Sequence, residues 1–370
     1  MCGDKRCTSV HYRSREPHAS HQTHYRAVLS IFSPLTCPNW NAHLLAVPQT
    51  SIFHTTNWLQ VLQASYGYRP YYFTMCKPQQ FATLLPFMEV RSWLTGVRGV
   101  SLPFSDYCEP IVTEDTDFLE LLAPAIAVAR QRRWKFLEIR GGSALLPNVA
   151  PYTFYHRHVL PLDSNTSEVF SRFRSNYRAK IRKACQQGLT VAILRSPQAM
   201  TAYYRLHCLT RQRHGLLPQP AGFFHYIQQH IIANELGFVG LVSYRDKPIA
   251  GGVFFTFGRR ALYKFGASDI RYQHVYANYA LFWEVIQWLC RHGYEELCWG
   301  RTAPGNAGLL QFKDGWGTMR SRLNYYRYHL KTASFIHKND GAVALRYDVC
   351  QKIPLRLLRW AGSTLYRHMG

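Results

Sequence analysis

Phe53, Trp58, Leu59 and Leu62 recur at helical spacing, and Thr55 or Thr56 stands where a hydroxyl caps a first turn. The stop Gly67-Tyr68-Arg69-Pro70 ends that helix, because glycine leaves helical backbone freely and proline cannot donate. An aromatic strand from Tyr71 to Met75 follows. The runs "FATLLPFMEVRS" and "GVRGVSLPF" predict two more strands, "DFLELLAPAIAVARQRR" (117–133) an amphipathic helix, and "WKFLEIRG" the strand after it. These elements predict an α/β or α+β module ending near Leu160.

The second half repeats the texture. A basic helix over about 167–187 leads to strand "LTVAIL" and to helices "PQAMTAYYRLHCLTRQRHG" and "AGFFHYIQQHII". The stretch "GFVGLVSYRDKPIAGGVFFTFGRRALYKFGAS" predicts a three-stranded meander with turns at Arg245-Asp246-Lys247 and Gly258-Arg259-Arg260. Helix 278–294 stops at Gly293 and feeds strand "EELCWG". Meander, helix and strand thus occur twice, with a mixed sheet flanked by helices expected in each copy. The expected organisation is a solvated extension or upstream start over 1–36, one domain over 37–160, a second over 161–330, and a basic helical extension over 331–370.

Composition narrows the partners. Among 370 residues, Lys and Arg outnumber Asp and Glu by 44 − 21 = 23, and the surplus runs along the whole chain. That favours a polyanionic partner: nucleic acid, a phosphorylated substrate or a membrane surface. The ten cysteines form no CxxC pair and none is spaced with histidine as tetrahedral zinc requires, so free thiols and no metal are expected, as in a reducing compartment. No apolar run approaches the roughly 18 residues of a membrane-spanning helix. No charged-then-apolar signal opens the chain, and a cytoplasmic location is expected.

Several constellations carry candidate chemistry. In "RFRSNYRAKIRKACQQG", Arg174, Arg178 and Arg182 recur at four-residue spacing, and Arg178, Arg182 and Lys183 are candidates to hold phosphates; a solvated face of a basic protein is the other reading. In "ALYKFGASD", Tyr263 and Phe265 fall on one strand face and Lys264 on the other, before Ser268 and Asp269 at a strand end, where a site or a simple turn cap fits equally. Asp106 in "SLPFSDYCEP" poses the same choice. Finally, "GRTAPGNAGLLQFKDGWGT" (300–318) sets Arg301 at a strand end and Phe312-Lys313 before Gly315-Trp316-Gly317. A glycine-rich loop, with Lys313 held against aromatic walls near a reacting carbonyl, is expected.

The stretch from "GASD" through Asn278, Trp283, Ile286, Trp288, Gly300-Arg301, Gly308-Leu309 and Phe312-Lys313 to Trp316-Gly317 resembles the Fem-like aminoacyltransferases and the BioF-like acetyltransferase branch of the GNAT superfamily. The likeness extends to "SNYRAKIRKACQQGLTV", "IFHTTNWLQVLQASYGYRPYYF" and "LPFSDY", and so covers about 38–330. It implies a tandem pair of GNAT-like domains that transfers an acyl or aminoacyl group to an amine. It places Phe312 and Lys313 near the donor, Tyr263 near the acceptor, and Ser268, Asn278 and Arg301 among the substrate-binding residues. Lys313 is then the catalytic cation, with Asp106 and Asp269 as candidate bases. The sequence lacks an R/Q-x-x-G-x-G/A loop for coenzyme A, so acyl-CoA and aminoacyl-tRNA both stand as co-substrates, with no tightly bound cofactor. Muropeptides or exopolysaccharide sugars, phosphorylated or lipid-linked, are the implied acceptors. A non-catalytic polyanion or nucleic-acid binder that keeps the fold is the alternative. "PLRLLRWAGSTLYRHMG" reads either as a docked terminal helix or as a basic segment lying on an anionic membrane at its inner face.

Overall fold

Strands joined by tight turns pair with their sequence neighbours, and this chain contains two such meanders. The computed structural model describes residues 30–77, 80–112, 118–337 and 351–370. The first unit runs β1 (Ser30–Phe32), α1 (Trp40–Leu45), α2 (Thr56–Tyr66), β2 (Arg69–Lys77), β3 (Gln80–Ser92), β4 (Gly96–Val100), β5 (Ile111–Val112), α3 (Phe118–Gln131), β6 (Phe136–Arg140) and β7 (Thr153–Pro161). The second runs α4 (Thr166–Ser171), α5 (Ser175–Cys185), β8 (Leu189–Leu194), α6 (Pro197–Arg213), α7 (Ala221–Ile227), β9 (Gly237–Tyr244), β10 (Lys247–Phe257), β11 (Arg260–Ser268), α8 (Ala277–Arg291), β12 (Glu296–Thr302), α9 (Ala307–Asp314) and β13 (Met319–His329). Strand β14 (Ser334–Ile336) and helix α10 (Leu355–Leu365) complete the described chain.

All strands join one mixed sheet in the order β1-β2-β3-β4-β6-β13-β7-β12-β11-β10-β9-β8, with β5 on β3 and β14 on β13. Each unit contributes an antiparallel meander, a crossover containing a helix and a parallel return: β4 beside β6 in the first, β11 beside β12 in the second. The last strand of each unit sits in the other's half. Strand β7 pairs with β12, and β13 inserts between β6 and β7. The two units therefore share hydrogen bonds across the middle of one sheet, as an exchange of strands between copies would produce.

Three sequence expectations need correction. Ser30–Phe32 lie inside the expected extension yet pair with β2, so ordered structure begins before residue 36; residues 1–29 lie outside the described chain. The segment 331–370 opens with β14 rather than a helix, and its helix starts at Leu355. The single basic helix is two. The chain breaks at 172–174, where Arg174 takes up extended backbone before α5, so Arg174 does not continue the face of Arg178 and Arg182.

Aromatic packing holds the second unit's helices to the sheet. Trp299 on β12 stacks on Phe282 of α8 with ring centroids 4.2 Å apart, and Phe173 and Tyr177 close on Trp316. The fit around α9 leaves no room at Gly315, where a Cβ would lie 2.1 Å from Cζ of Tyr177. Gly315→Ala is therefore expected to lose about 1–3 kcal/mol, the usual cost of overpacking a filled core, as read by urea denaturation. Wild-type stability in that variant would show that α5 can slide relative to α9.

Candidate active site

Strands β11 and β12 begin as a parallel pair, Arg260 to Leu262 against Glu296 to Cys298. They then part. Strand β11 runs on to Ser268 and β12 to Thr302 without pairing to each other, and an irregularity in the β12–β7 ladder between Cys298 and Arg301 turns β12 aside. Gly300 sits in the opening with φ +65°, a left-handed conformation that glycine adopts without strain. A sheet that splays in this way exposes backbone N–H and C=O groups in its interior, and these need partners.

Lys313 supplies some of them. Asn306 caps α9 by accepting from the Leu309 N–H at 3.1 Å, so the expected glycine-rich loop contains a helix, and that helix aims its last turn at the gap. Lys313 is 3% exposed, and its Nζ donates to the carbonyls of Trp299, Gly300 and Arg301, the last two at 3.4 Å. Three acceptors suit an ammonium, which has three protons to give. Burial pulls its pKa down to about 8, with Asp106 opposing. The aromatic walls expected around Lys313 surround Phe312 instead, whose ring meets Tyr177, Tyr279, Phe282, Trp299 and Trp316. His158 on β7 fixes the end of α9, with Nε2 3.2 Å from Asp314 Oδ1.

On the opposite face of β11 lies a buried charge cluster. Lys264 Nζ meets Asp106 Oδ2 at 2.9 Å and the Phe104 carbonyl at 2.7 Å. Arg301 Nε stands 3.9 Å from Asp106 Oδ1, and its Nη1 donates to the Tyr325 hydroxyl at 2.7 Å. That hydroxyl donates in turn to the Asp106 carbonyl. Burial would raise the Asp106 carboxyl, but Lys264 and Arg301 hold it below the usual range. Arg301 also lies over the Tyr155 ring at 4.5 Å, forming a cationic, aromatic wall that is partly open to solvent.

A pocket of about 250 Å³ opens where β11 ends and α8 begins. Ser268, Asp269, Asn278 and Phe312, four of the sequence candidates, line it together with Arg213 and Tyr279. Thr210 of α6 clamps the strand end, accepting from the Ser268 N–H at 3.0 Å and donating to its carbonyl at 3.1 Å. Asp269 accepts from the Arg271 N–H at 3.1 Å and pairs with its guanidinium at 2.6 Å, which lowers its pKa. Ala277, Asn278 and Tyr279 open α8 on this pocket, so the positive end of a 15-residue helix faces it.

The remaining candidates lie elsewhere. Tyr263 is packed against Phe254 and Phe282, and burial pushes its hydroxyl pKa up. Arg178 donates to the carbonyls of Ser171 and Phe173, closing the end of α4, and Arg182 lies over the Phe170 ring. Lys183 is exposed. The α5 cation that reaches the pocket wall is Lys180, whose Nζ donates to the Tyr279 hydroxyl at 3.2 Å. Sequence reasoning passed over Lys180, Thr210, Arg213 and Tyr325. Lys180 lies within the basic run already read, and Asn176, Lys180 and Lys183 at helical spacing mark the face that would have found it.

A splayed parallel pair, a pocket at the following helix and a short helix beside the gap make up the candidate site. Residues 171–314 match the family model of the acetyltransferase (GNAT) domain. The crystal structure of FemX superposes with a TM-score of 0.64 over 79% of this chain and 95% of that one, at 14% identity. A tandem GNAT protein from the clavulanic acid biosynthesis pathway gives 0.50 over 79% and 94%, at 10% identity. The C-terminal domain of a putative lysylphosphatidylglycerol synthetase from Agrobacterium fabrum gives 0.51 over 77% and 90%, at 13% identity. No curated protein matches the sequence. The chain has the fold of these tandem GNAT-like structures, and its match to the GNAT domain model lies in the second half. Among the described residues no helix is long and apolar enough to cross a membrane, and no cluster of His, Cys, Asp or Glu is placed to hold a metal ion.

Proposed function

We propose that this protein is an N-acyltransferase that moves an acyl or aminoacyl group from a thioester or aminoacyl-tRNA donor to an amine of a cell-envelope precursor. The observation that carries this reading is Lys313, a buried ammonium in the gap between β11 and β12, one residue from Phe312 on the pocket wall. The donor's anionic portion lies at the start of α8, near Arg213, Asn278 and Lys180. Its carbonyl enters the gap. The neutral acceptor amine attacks that carbon, and the oxyanion accepts from the N–H edge of β11 while the charge of Lys313, whose protons go to β12 carbonyls, stabilises it through space. Collapse breaks the C–S or C–O bond, and the leaving group takes the proton given up by the amine. Asp106 and Asp269 are both ion-paired, so the proposal gives Asp106 the role of counter-ion to Lys264 and Arg301, and gives Asp269 that of setting the pocket rim. The Arg301–Tyr155 wall receives the acceptor's phosphate or carboxylate.

The test is binding and turnover with acyl-CoAs and with charged and uncharged tRNA, using purified protein at fixed salt. Saturable binding of one donor supports the proposal. Equal, salt-sensitive binding of every polyanion, insensitive to substitutions in the pocket, would instead make the protein a polyanion binder. Within the proposal, Asn278→Asp sets a negative charge where the donor's anionic group lies. Donor affinity is expected to fall about tenfold, equivalent to about 1.4 kcal/mol, as measured by calorimetry. An unchanged affinity would move the donor away from α8.

A further inference from the structure

The C-terminal segment is fixed to the body of the protein and yet turns apolar side chains outward. Gly362 of α10 packs so closely that a Cβ would lie 2.1 Å from the Pro218 carbonyl oxygen. Gln212 donates to the Ile353 carbonyl at 2.9 Å, and the Tyr366 hydroxyl accepts from Arg211 at 2.8 Å and donates to the Leu217 carbonyl at 3.0 Å. Arg98 of the β3–β4 hairpin donates to the carbonyls of His368 and Gly370. Leu358, Gly362 and Tyr366 face inward. The opposite stripe, at helical spacing, holds Leu357 and Trp360, which are 57% and 69% exposed.

A second element extends this surface. Trp93, at the tip of the β3–β4 hairpin, is 81% exposed, and its ring lies 5.6 Å from that of His368. Leu94 and Met369 beside it are exposed as well. A groove of about 730 Å³ runs along α10, lined by Leu217, Ile353, Pro354, Leu357, Trp360 and Ala361. The charge is one-sided: residues 351–370 contain Lys352, Arg356, Arg359 and Arg367 and no Asp or Glu. Exposed tryptophans beside leucines and cations suit the boundary between lipid headgroups and acyl chains. A second copy of this chain would bring the same cations face to face, so charge disfavours self-association here.

We propose that the outward face of α10, together with the Trp93 hairpin tip, docks the protein on an anionic lipid bilayer. Trp360, Leu357 and Trp93 enter the interface while Lys352 and Arg356 meet lipid phosphates. The proposal is independent of acyl transfer, and its test measures no activity.

The experiment floats the full-length protein with vesicles of phosphatidylcholine alone or mixed with phosphatidylglycerol. It reads tryptophan quenching by lipids brominated on their acyl chains. Wild type is expected to float with the anionic vesicles and to be quenched. The double substitution Leu357→Ser with Trp360→Ser is expected to weaken binding at least about tenfold, since membrane affinity follows buried apolar area. Replacing Lys352 and Arg356 by Gln is expected to cost about fivefold for each charge. Near-UV circular dichroism checks folding, and Trp93→Ser, on a separate element, carries the test should the helix variant unfold. Absent flotation, flotation without quenching, or equal binding to phosphatidylcholine overturns the proposal. So does a concentration-dependent dimer that Trp360→Ser abolishes.

Discussion

Lys313→Ala is expected to lower the turnover of acyl transfer by about 10² to 10³, the usual cost of removing one stabiliser of a tetrahedral oxyanion. Donor affinity should stay within a few fold, because the side chain is tied to β12 carbonyls rather than to the pocket where the anionic group binds. The pH profile gives a second reading. Lys313 acts as an ammonium, and burial sets its pKa at about 8, so its contribution fades as pH rises through that value. Deprotonation of the acceptor amine raises the rate over the same range, and the product is a bell whose descending limb belongs to Lys313. Lys313→Met should remove that limb and keep the ascending one. Folding responds in the opposite sense. The group binds a proton more tightly unfolded, near 10.5, than folded, so stability rises with pH between about 8 and 10.5, and Lys313→Met flattens that rise. Near-wild-type turnover in Lys313→Ala, measured by release of the donor's leaving group, would remove the basis for placing the chemistry in the gap.

The sequence disclosed what is local. The second meander with its two-residue turns, the helix stop at Gly293 and the strand before Gly300 follow from spacing and turn chemistry. Ser268, Asp269 and Asn278 meet in one pocket because a strand end and the next helix start are close in the chain. What it withheld depends on distant partners. Nothing in Met319 to His329 announces that this strand inserts between β6 and β7, since its apolar pattern fits several neighbours. The arginine spacing in the basic run misled because a turn at 172–174, ending in extended backbone at Arg174, interrupts the helix on which the spacing argument rests. Lys313 was singled out as a candidate, but its surroundings were not legible. Backbone carbonyls accept its protons, and a carbonyl leaves no mark in residue identity.

The Asp106–Lys264 pair joins positions 158 residues apart, and it ties the loop before β5 to the strand that borders the gap. Asp106→Ala leaves Lys264 with a side chain 6% exposed and no carboxylate, and Arg301 without its counter-ion. Removing one partner of a buried pair costs about 3–5 kcal/mol, well above the value of the pair itself, because a charge is stranded away from water. That loss is expected by urea denaturation at neutral pH, and adding Lys264→Met should restore part of it; a loss below about 1 kcal/mol would mean that water reaches Lys264. The pH dependence follows from the sign of the shift. Asp106 is held below its unfolded value of 3.8, so its contribution is complete above that pH and fades as pH falls through the folded pKa. Asp106→Asn should accordingly narrow the gap to wild type in acid. The same carboxylate raises the pKa of Lys313 across the opening. Without it, the descending limb of the rate profile should move below pH 8, so one substitution tests both the packing of the two units and the electrostatics of the proposed catalytic lysine.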